Sequence, residues 1–355
     1  MNDKENRTFS EYLKLLSESG AITEAGGGIY MCTAAAYSTK DHYFGRNLDL
    51  EYSYHEQVAV MPEKFPLAFR NGKTLDSHHA IIGMAFVVEG YPLFYDAFNE
   101  AGLGMAGLNF PDNCVFNDNM EGKENVASFE LIPWILSQCT NIEEAKKLLE
   151  TVNITKECFS EKLPPNPLHW MIADKNDRQI VVEQTSTGLH VYDNPVGVMT
   201  NNPTFDMQMV NLANYRNVTA EQGECRFAKG LDLHPYSRGM GGLGLPGDLS
   251  SASRFVKVAF TRMNSVSADD EVSSVSQFFH ILHSVTQQRG CCKLGEDKYE
   301  ITIYSSCMNL EEGIYYYTTY DNSRISAVNM HHTDLTGNKL SVFDLVKGDQ
   351  VLYQN

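Results

Sequence analysis

The order of strand-like and helix-like segments constrains this chain more than any other feature of its sequence. From Met31 onward the first predicted strands, joined by short polar or glycine turns, are 43–48, 57–62, 79–89, 92–97 and 103–109. The segments that follow are helices at 127–139 and 142–152, strands at 169–173, 179–184, 189–192 and 197–199, helices at 252–264 and 274–288, and strands at 299–306, 313–320 and 324–329. Blocks of strands that alternate with blocks of helices predict an α+β layered domain with antiparallel sheets, not a parallel βαβ fold.

The chain of 355 residues is long enough for one large hydrophobic core, or at most two domains. A short amphipathic helix is predicted over residues 8–18, and three consecutive glycines at 26–28 then separate it from the β-rich part. There is no internal repeat and no low-complexity linker. We therefore expect a single domain after the first thirty residues.

Charge and cysteine content exclude several classes of partner. The formal net charge of −17 repels nucleic acid and anionic membranes, so neither is an expected partner. No apolar run reaches the length of a membrane span, and residues 1–30 lack the pattern of a secretory signal. The 8 cysteines form no CxxC pair, which is typical of a reducing cytoplasm and not of a disulfide scaffold.

Several short motifs have plain structural explanations. The glycines at 102, 104 and 107 and those at 239, 241 and 244 match a dinucleotide-binding spacing, but neither set lies between a predicted strand and a predicted helix. We interpret both as turns and close backbone packing. The adjacent His331 and His332 would point to opposite faces of a strand, so they are predicted to be surface residues and not a metal site. Cys291 and Cys292 are interpreted as an incidental pair of thiols.

Cys32 stands apart because it lies where the composition changes to β-rich. It is followed by the segment GRNLDL at 45–50, which places Arg46 and Asp49 three residues apart at a strand end. If the strand that carries Cys32 pairs with this one across the turn between Ser38 and Asp41, a cation and a carboxylate come close to the thiol.

Five segments follow one another from Met31 onward: MCTAAAYSTKDHYFGRNLDLEYSY, NEAGLGMAGLNFP, VGVMTNNPTFD, GMGGLGLPGDLSSASRF and YTTYDN. Together and in this order they resemble the choloylglycine hydrolase family, and most closely the conjugated bile salt hydrolases of Gram-positive gut bacteria. The resemblance implies a four-layer αββα N-terminal nucleophile hydrolase fold with two stacked antiparallel sheets. It also implies an amidase that needs no metal or cofactor and acts on a small-molecule substrate, a conjugated bile salt.

The resemblance also assigns site residues. The family's catalytic positions fall on Cys32, Arg46, Asp49, Asn109, Asn201 and Arg254. The family's steroid-lining positions fall on Leu48, Tyr54 and Tyr95. Penicillin V acylases typically carry a tyrosine where this chain has Asn109, so Asn109 favours bile salts as substrates.

In this family the nucleophile is the first residue of the mature chain. A free α-amine has a reference pKa of about 7.7–8, well below that of lysine, so it can accept the thiol proton near neutral pH. We therefore expect residues 1–31 to be an N-terminal extension that is absent from the mature enzyme, with 32–355 as a single catalytic domain. The extension is either a mis-called start, with Met31 as the initiator, or a propeptide.

Two other functions remain open at this point. A penicillin V or acyl-homoserine-lactone acylase would keep Cys32 and change the pocket, and a non-catalytic steroid-binding protein would never expose Cys32. The resemblance also implies a homotetramer, because the segment at 200–215 leads into a stretch that reaches a neighbouring subunit in relatives.

Overall fold

The computed structural model describes residues 31–348 and 351–355, so the helix predicted at 8–18 and the extension before Met31 lie outside the described residues. The strands are β1 (Met31–Ser38), β2 (His42–Leu50), β3 (Gln57–Met61), β4 (Leu67–Ala68), β5 (Thr74–Leu75), β6 (Ile81–Val88), β7 (Tyr91–Asn99), β8 (Leu103–Asn109), β9 (Glu124–Ala127), β10 (Val152–Thr155), β11 (Leu168–Asp174), β12 (Arg178–Thr185), β13 (Gly188–Asp193), β14 (Val198–Met199), β15 (Lys293–Gly295), β16 (Lys298–Tyr299), β17 (Ile301–Asn309), β18 (Ile314–Thr319), β19 (Asn322–Asn329) and β20 (Ser341–Asp344). The α-helices are α1 (Leu131–Leu136), α2 (Ile142–Leu149), α3 (Phe205–Leu212), α4 (Ser251–Asn264) and α5 (Glu271–His283).

Two large antiparallel sheets form the centre of the domain. The 6-stranded sheet has the order β14-β1-β2-β17-β18-β19, and the 8-stranded sheet has the order β13-β12-β11-β8-β7-β6-β3-β20. Every neighbouring pair in both sheets is antiparallel. The antiparallel pairing predicted from the blocks of strands is therefore confirmed.

The sheets stack face to face between two helical layers. In β8, Ala106 belongs to the apolar core that contains Cys32 and Phe255 of α4, whereas Met105 belongs to the core that contains Trp134 of α1. Successive residues of a strand face opposite sides, so β8 has one face toward the other sheet and one toward α1 and α2. Helices α4 and α5 pack on the outer face of the 6-stranded sheet. The four-layer αββα architecture is thus confirmed.

The helix predicted at 127–139 is observed over residues 128–136, but the strand that precedes it was not predicted. Residues 124–127 form β9, which pairs in parallel with β10, and α1 begins only at Leu131 after a 3₁₀ turn at Ser128–Glu130. The pairing of β9 with β10 is tertiary, so no local pattern indicates it. Pro133 lies in the first turn of α1, where a missing backbone N–H is tolerated.

The other predicted helices are close to the observed ones. Helix α2 begins after Asn141, whose side-chain oxygen accepts a hydrogen bond of 3.1 Å from the backbone N–H of Glu144. The helix predicted at 274–288 is α5, which begins after Asp270 and ends at His283. Helix α3 was not predicted. The strands predicted at 313–320 and 324–329 are β18 and β19, which pair as a hairpin.

The glycine motifs lie where the sequence indicated. Gly102 has a φ of +87° in the turn between β7 and β8, and Gly104 lies within β8, where a Cβ would come 2.8 Å from Phe44 Cδ1. His331 and His332 belong to a 3₁₀ helix and not to a strand, although both are exposed. Within the described residues, no helix is both long and apolar enough to cross a membrane.

Candidate active site

A β-hairpin carries three of the predicted site residues. Strands β1 and β2 pair across residues 39–41 with Cys32 directly opposite Leu48, so the pairing predicted from the sequence is confirmed. Cys32, Leu48 and Arg46 share one face of the sheet because alternate strand residues point the same way. The Arg46 side chain reaches along that face, and its Nη2 lies 2.7 Å from Cys32 Sγ.

Arg46 is buried between the two sheets and is held by backbone carbonyls of the opposite sheet. Its Nη1 donates to the carbonyl oxygens of Tyr95 at 3.1 Å and Gly107 at 2.5 Å. Burial acts to lower the pKa of Arg46, but interactions with neighbouring acidic groups outweigh it and the pKa is raised. Those groups, in order of effect, are Cys32, Tyr304, Asp96 and Asp49. The guanidinium is therefore a fixed cation in contact with the sulfur.

The Cys32 thiol is deeply buried, and its side chain and backbone have different partners. Burial raises the pKa of the thiol, while the charge of Arg46 acts in the opposite direction. The backbone nitrogen of Cys32 donates to Asn201 Oδ1 at 2.7 Å. Because Met31 precedes it in the described chain, this nitrogen is an amide and cannot act as a base.

Asp49 lies directly opposite Met31 in the hairpin and is also buried. Its Oδ1 accepts a hydrogen bond of 2.6 Å from the Thr302 hydroxyl, and among the described residues its Oδ2 has no hydrogen-bond partner. Burial raises the pKa of Asp49 to about 6, and the charge of Arg254 limits the rise. The carboxyl therefore has one oxygen available for a further donor beside residues 31 and 32.

Two groups at the start of β17 were missed by the sequence reasoning. Thr302 holds Asp49, and Glu300 Oε1 accepts a hydrogen bond of 2.6 Å from the backbone nitrogen of Met31. Burial raises the pKa of Glu300 to about 7, and the nearby Asp49 adds to the rise. The sequence signal that could have indicated them is a glutamate and a threonine two residues apart at the start of an otherwise buried strand. That spacing puts both side chains on one face of the sheet.

Arg254 ties helix α4 to the strand that carries the thiol. Its Nη1 donates to the backbone oxygen of Cys32 and to Thr33 Oγ1, the latter at 2.5 Å, and its Nη2 donates to Asn201 Oδ1 at 2.7 Å. Burial lowers the pKa of Arg254, against the opposing effect of Asp49. Its donors are thus used to position Cys32 and Asn201.

Asn201 and Asn109 meet beside the nucleophile although 92 residues separate them. Asn201 Nδ2 donates to the backbone oxygen of Asn109 at 2.7 Å, while its Oδ1 faces Cys32 and Arg254. An amide nitrogen carries two protons, so Asn201 keeps one donor beyond that contact. Asn109 is the last residue of β8, and it is buried.

A buried His–Glu pair supports the segments that carry both asparagines. His169 Nε2 lies 2.7 Å from the carbonyl oxygen of Thr200, and its Nδ1 lies 3.1 Å from Glu183 Oε1. The imidazole stacks on Phe110 with ring centroids 4.2 Å apart. Because the carbonyl oxygen only accepts, Nε2 must carry a proton, and a further proton lies between Nδ1 and the carboxylate.

The three predicted steroid-lining residues lie beside this centre but belong to different surroundings. Leu48 is part of the core between the sheets. Tyr54 and Tyr95 also pack against a smaller apolar group, made of Phe86, Val88, Leu93, Phe159 and Leu163. Tyr95 connects the two regions, because its carbonyl oxygen accepts from Arg46 while its ring contacts the apolar group.

Two open surface clefts of about 360 and 550 Å³ lie around Asp112 and Asn117, and neither is lined by Cys32.

All six predicted catalytic positions therefore converge on one buried centre. It combines a thiol, two guanidinium groups, a carboxyl with a free oxygen and side-chain amides. A thiol next to a fixed cation, with amide donors nearby, is suited to attack on a carbonyl group and to stabilisation of the oxyanion that forms.

Comparison with known proteins shows the family of the chain. The family model of linear amide C–N hydrolases, the choloylglycine hydrolase family, matches residues 32–343. A protein named bile salt hydrolase/transferase from Lactiplantibacillus plantarum is 52% identical over 315 residues, which cover 89% of this chain and 97% of that protein.

Solved structures give the same result for the fold. The structure of a variant of conjugated bile acid hydrolase from Clostridium perfringens matches with a TM-score of 0.84 at 39% identity, covering 91% of this chain and 100% of that chain. A penicillin V acylase from Agrobacterium tumefaciens matches with a TM-score of 0.70 at 18% identity, covering 89% and 92% of the two chains. At that identity the second match shows a common fold only.

Proposed function

Because the chain belongs to the choloylglycine hydrolase family of linear amide C–N hydrolases, we propose that it is a bile salt hydrolase. It cleaves the amide bond of glycine- or taurine-conjugated bile salts and releases the amino acid and the free bile acid. The observation that carries the proposal is the contact of 2.7 Å between the Arg46 guanidinium and Cys32 Sγ, at the first residue that the family model matches. Relatives named for bile salt or conjugated bile acid hydrolysis support the choice of substrate.

The mature enzyme begins at Cys32, so that residues 1–31 are absent and residues 32–355 form one catalytic domain. Removal of Met31 turns the amide nitrogen of Cys32 into an α-amine, which can accept the thiol proton. That nitrogen lies 2.7 Å from Asn201 Oδ1, and the free Oδ2 of Asp49 is available to accept one of its protons. If Met31 is the initiator, a purine-rich ribosome-binding sequence precedes its codon in the genomic DNA. If residues 1–31 are a propeptide, the precursor is cleaved before Cys32.

The reaction proceeds in two steps with one covalent intermediate. The α-amine takes the thiol proton, and the sulfur attacks the amide carbonyl carbon to form a C–S bond. Collapse of the tetrahedral intermediate breaks the C–N bond, and the proton passes to the leaving nitrogen of glycine or taurine. Water then attacks the thioester with the α-amine as base, and the C–S bond breaks to release the bile acid and restore the thiol.

The surrounding groups have distinct roles in this reaction. Arg46 stabilises the thiolate, and Arg254 holds the Cys32 backbone and Asn201 in place. The remaining Nδ2 proton of Asn201, together with Asn109, donates to the oxyanion. Removing one such donor typically lowers kcat by about 100- to 1,000-fold. No step requires a metal or a cofactor.

The steroid binds against the apolar group beside Tyr54 and Tyr95, with Leu48 next to the nucleophile. Tyr95 links this group to Arg46, because its carbonyl oxygen accepts from Arg46 while its ring contacts the group. The negative net charge gives no long-range attraction for an anionic bile salt, so apolar contact must supply most of the binding.

The enzyme is expected to assemble as a homotetramer in the cytoplasm. The segment from α3 to residue 245 exposes large apolar side chains, which normally mark an interface. They are Met207, Val210, Phe227, Leu231, Leu233, Tyr236 and Leu243. All 8 cysteines lie in the described residues as free thiols, which suits a reducing compartment.

Product release from taurocholate, glycocholate and penicillin V tests the function, using protein whose intact mass places Cys32 at the N-terminus. We expect rapid release of taurine or glycine, and its loss in Cys32→Ala. Cys139→Ala, which removes another buried thiol far from the site, is the matched control and should keep full activity. Penicillin V cleavage without bile salt turnover would instead assign the chain to the acylases, and inertness toward all three would favour a binding protein.

A further inference from the structure

Asp96 is a buried carboxyl group that the proposed mechanism does not use. It lies in β7, and its Oδ1 accepts the hydroxyl of Tyr304, while its Oδ2 accepts the hydroxyls of Tyr315 and Ser306 at 2.8 Å each. The three donors come from β17 and β18 of the 6-stranded sheet, whereas Asp96 belongs to the 8-stranded sheet. An ionised carboxyl group only accepts hydrogen bonds, so three hydroxyl donors suit and stabilise the ionised form of Asp96.

A β-bulge places this carboxylate between the sheets. Met84 pairs with Asp96 and Ala85 pairs with Phe94, so the intervening Tyr95 has no partner of its own in β6. Bulges next to active sites redirect side chains and release backbone groups from the ladder. Here the carbonyl oxygen of Tyr95 accepts from Arg46 Nη1 at 3.1 Å.

Asp96 is also linked to Arg46 through Ser306. The Ser306 hydroxyl accepts the backbone N–H of Arg46 at 3.1 Å and donates to Asp96 Oδ2. One route thus leads from Asp96 to the backbone of Arg46, and the other leads through the bulge to its guanidinium. The two side chains also attract each other, because Asp96 acts to raise the pKa of Arg46 and Arg46 acts to lower that of Asp96, although burial raises the latter overall.

Building on the proposed hydrolysis, we propose that Asp96 is a positioning residue that holds Arg46 in contact with the Cys32 sulfur. It does so by pinning the bulge at Tyr95 to the opposite sheet through hydroxyl groups. Asp96 does not touch the substrate, so its loss slows the attack by Cys32 and leaves bile salt binding nearly unchanged. In kinetic terms, kcat falls and KM does not.

A double-mutant cycle with Arg46 tests the inference, because residues that act through one another have non-additive effects. Asp96→Asn, Arg46→Lys and the double variant are compared as processed enzymes. The readouts are kcat and KM for taurocholate and the rate of Cys32 alkylation. We expect Asp96→Asn to lower kcat by about tenfold or more in the wild-type background and by less than about threefold in the Arg46→Lys background. KM should stay within about threefold of the wild type in both.

Glu130→Gln is the matched control, since Glu130 is another buried carboxyl with structural hydrogen bonds, from the backbone nitrogens of Arg70 and Ala127. Its effect on kcat should be small and should multiply with that of Arg46→Lys. If Asp96→Asn does not fold, Tyr315→Phe removes one of the three donors and keeps the carboxylate, with a smaller but equally non-additive loss expected.

The outcomes separate the two proposals. If the fold-losses in kcat of Asp96→Asn and Arg46→Lys multiply in the double variant, or if Asp96→Asn leaves kcat unchanged, the positioning role is overturned. Bile salt turnover by the wild type would still support the proposed function in that case. Absence of bile salt turnover in the wild type would overturn the proposed function. The alkylation rates would then decide on Asp96 without any substrate.

Discussion

Replacement of Arg46 by glutamine is expected to raise the pKa of the Cys32 thiol and to lower its reactivity near neutral pH. The guanidinium is the main group that lowers this pKa, against burial, which raises it. The contact of 2.7 Å between Nη2 and Sγ is a charge-assisted hydrogen bond to the thiolate. Glutamine keeps amide N–H donors but carries no charge, so the thiolate loses its counter-ion while the thiol form is hardly affected.

The magnitude follows from the strength of such a contact. A hydrogen bond to a charged group contributes about 1.5–3 kcal/mol. Since about 1.4 kcal/mol corresponds to a tenfold change in an equilibrium, the fraction of Cys32 in the thiolate form should fall by about 10- to 100-fold at pH 7. Arg46→Lys keeps the charge but cannot contact the sulfur and both carbonyl oxygens at once, so its loss should be intermediate.

The assay is the rate of iodoacetamide alkylation as a function of pH, followed by peptide mass for Cys32 alone. Peptide resolution is needed because Cys158, Cys225 and Cys291 are exposed and also react. The midpoint of the profile should move to higher pH in Arg46→Gln, with a slower rate at pH 7. Superimposable profiles for the wild type and Arg46→Gln, or a midpoint moved to lower pH, would refute the assignment of Arg46 as the thiolate's counter-ion.

Three further outcomes are expected. Thr302→Val removes the hydroxyl that donates to Asp49, so it should lower kcat and should lower the free energy of unfolding in urea by about 1–3 kcal/mol. Thr302→Ser keeps the hydroxyl and should retain most of both. Equal losses in the two variants would contradict this role of the hydroxyl. His169→Phe leaves the buried Glu183 carboxylate without the imidazole and should lower the free energy of unfolding by about 3 kcal/mol or more. Adding Glu183→Gln should restore part of that free energy. If it restores none, the two side chains do not form a charged pair. Phe227→Ser should reduce the mass measured by light scattering if its exposed ring lies in a tetramer interface, and an unchanged mass would place the interface elsewhere.

The sequence predicted the layered fold because its determinants are local. Strand and helix periodicities are short-range patterns, and the turn between β1 and β2 fixes the register that brings Arg46 to Cys32. The failures came where partners are distant in sequence. Residues 124–127 form strand β9 by pairing with β10, which begins at Val152, so no pattern within 124–127 indicates the strand.

The site residues also differ in whether the sequence alone could indicate them. The hairpin residues Cys32, Arg46 and Asp49 follow from spacing, whereas Asn109, Asn201 and Arg254 lie on separate elements and were assigned only through the family resemblance. Their convergence depends on the stacking of the sheets and helix α4, which no local pattern encodes. Thr302, Glu300 and Asp96 were missed because a polar residue within a strand is ordinarily interpreted as solvent-facing, and here both faces of the strands are buried.

The proposed removal of Met31 would do more than expose a base, because the ionisable groups around residues 31 and 32 are buried. With the Met31 peptide in place, the nitrogen of Cys32 is a neutral amide, and burial raises the pKa of Asp49 to about 6 and that of Glu300 to about 7. A protonated α-amine at Cys32 brings a positive charge to this point and favours the ionised form of the carboxyl beside it. By linkage, an ionised Asp49 in turn favours the protonated amine that forms when the thiol gives up its proton. The proposed cleavage before Cys32 would therefore both expose the base and supply the positive charge that balances Asp49 and the Cys32 thiolate.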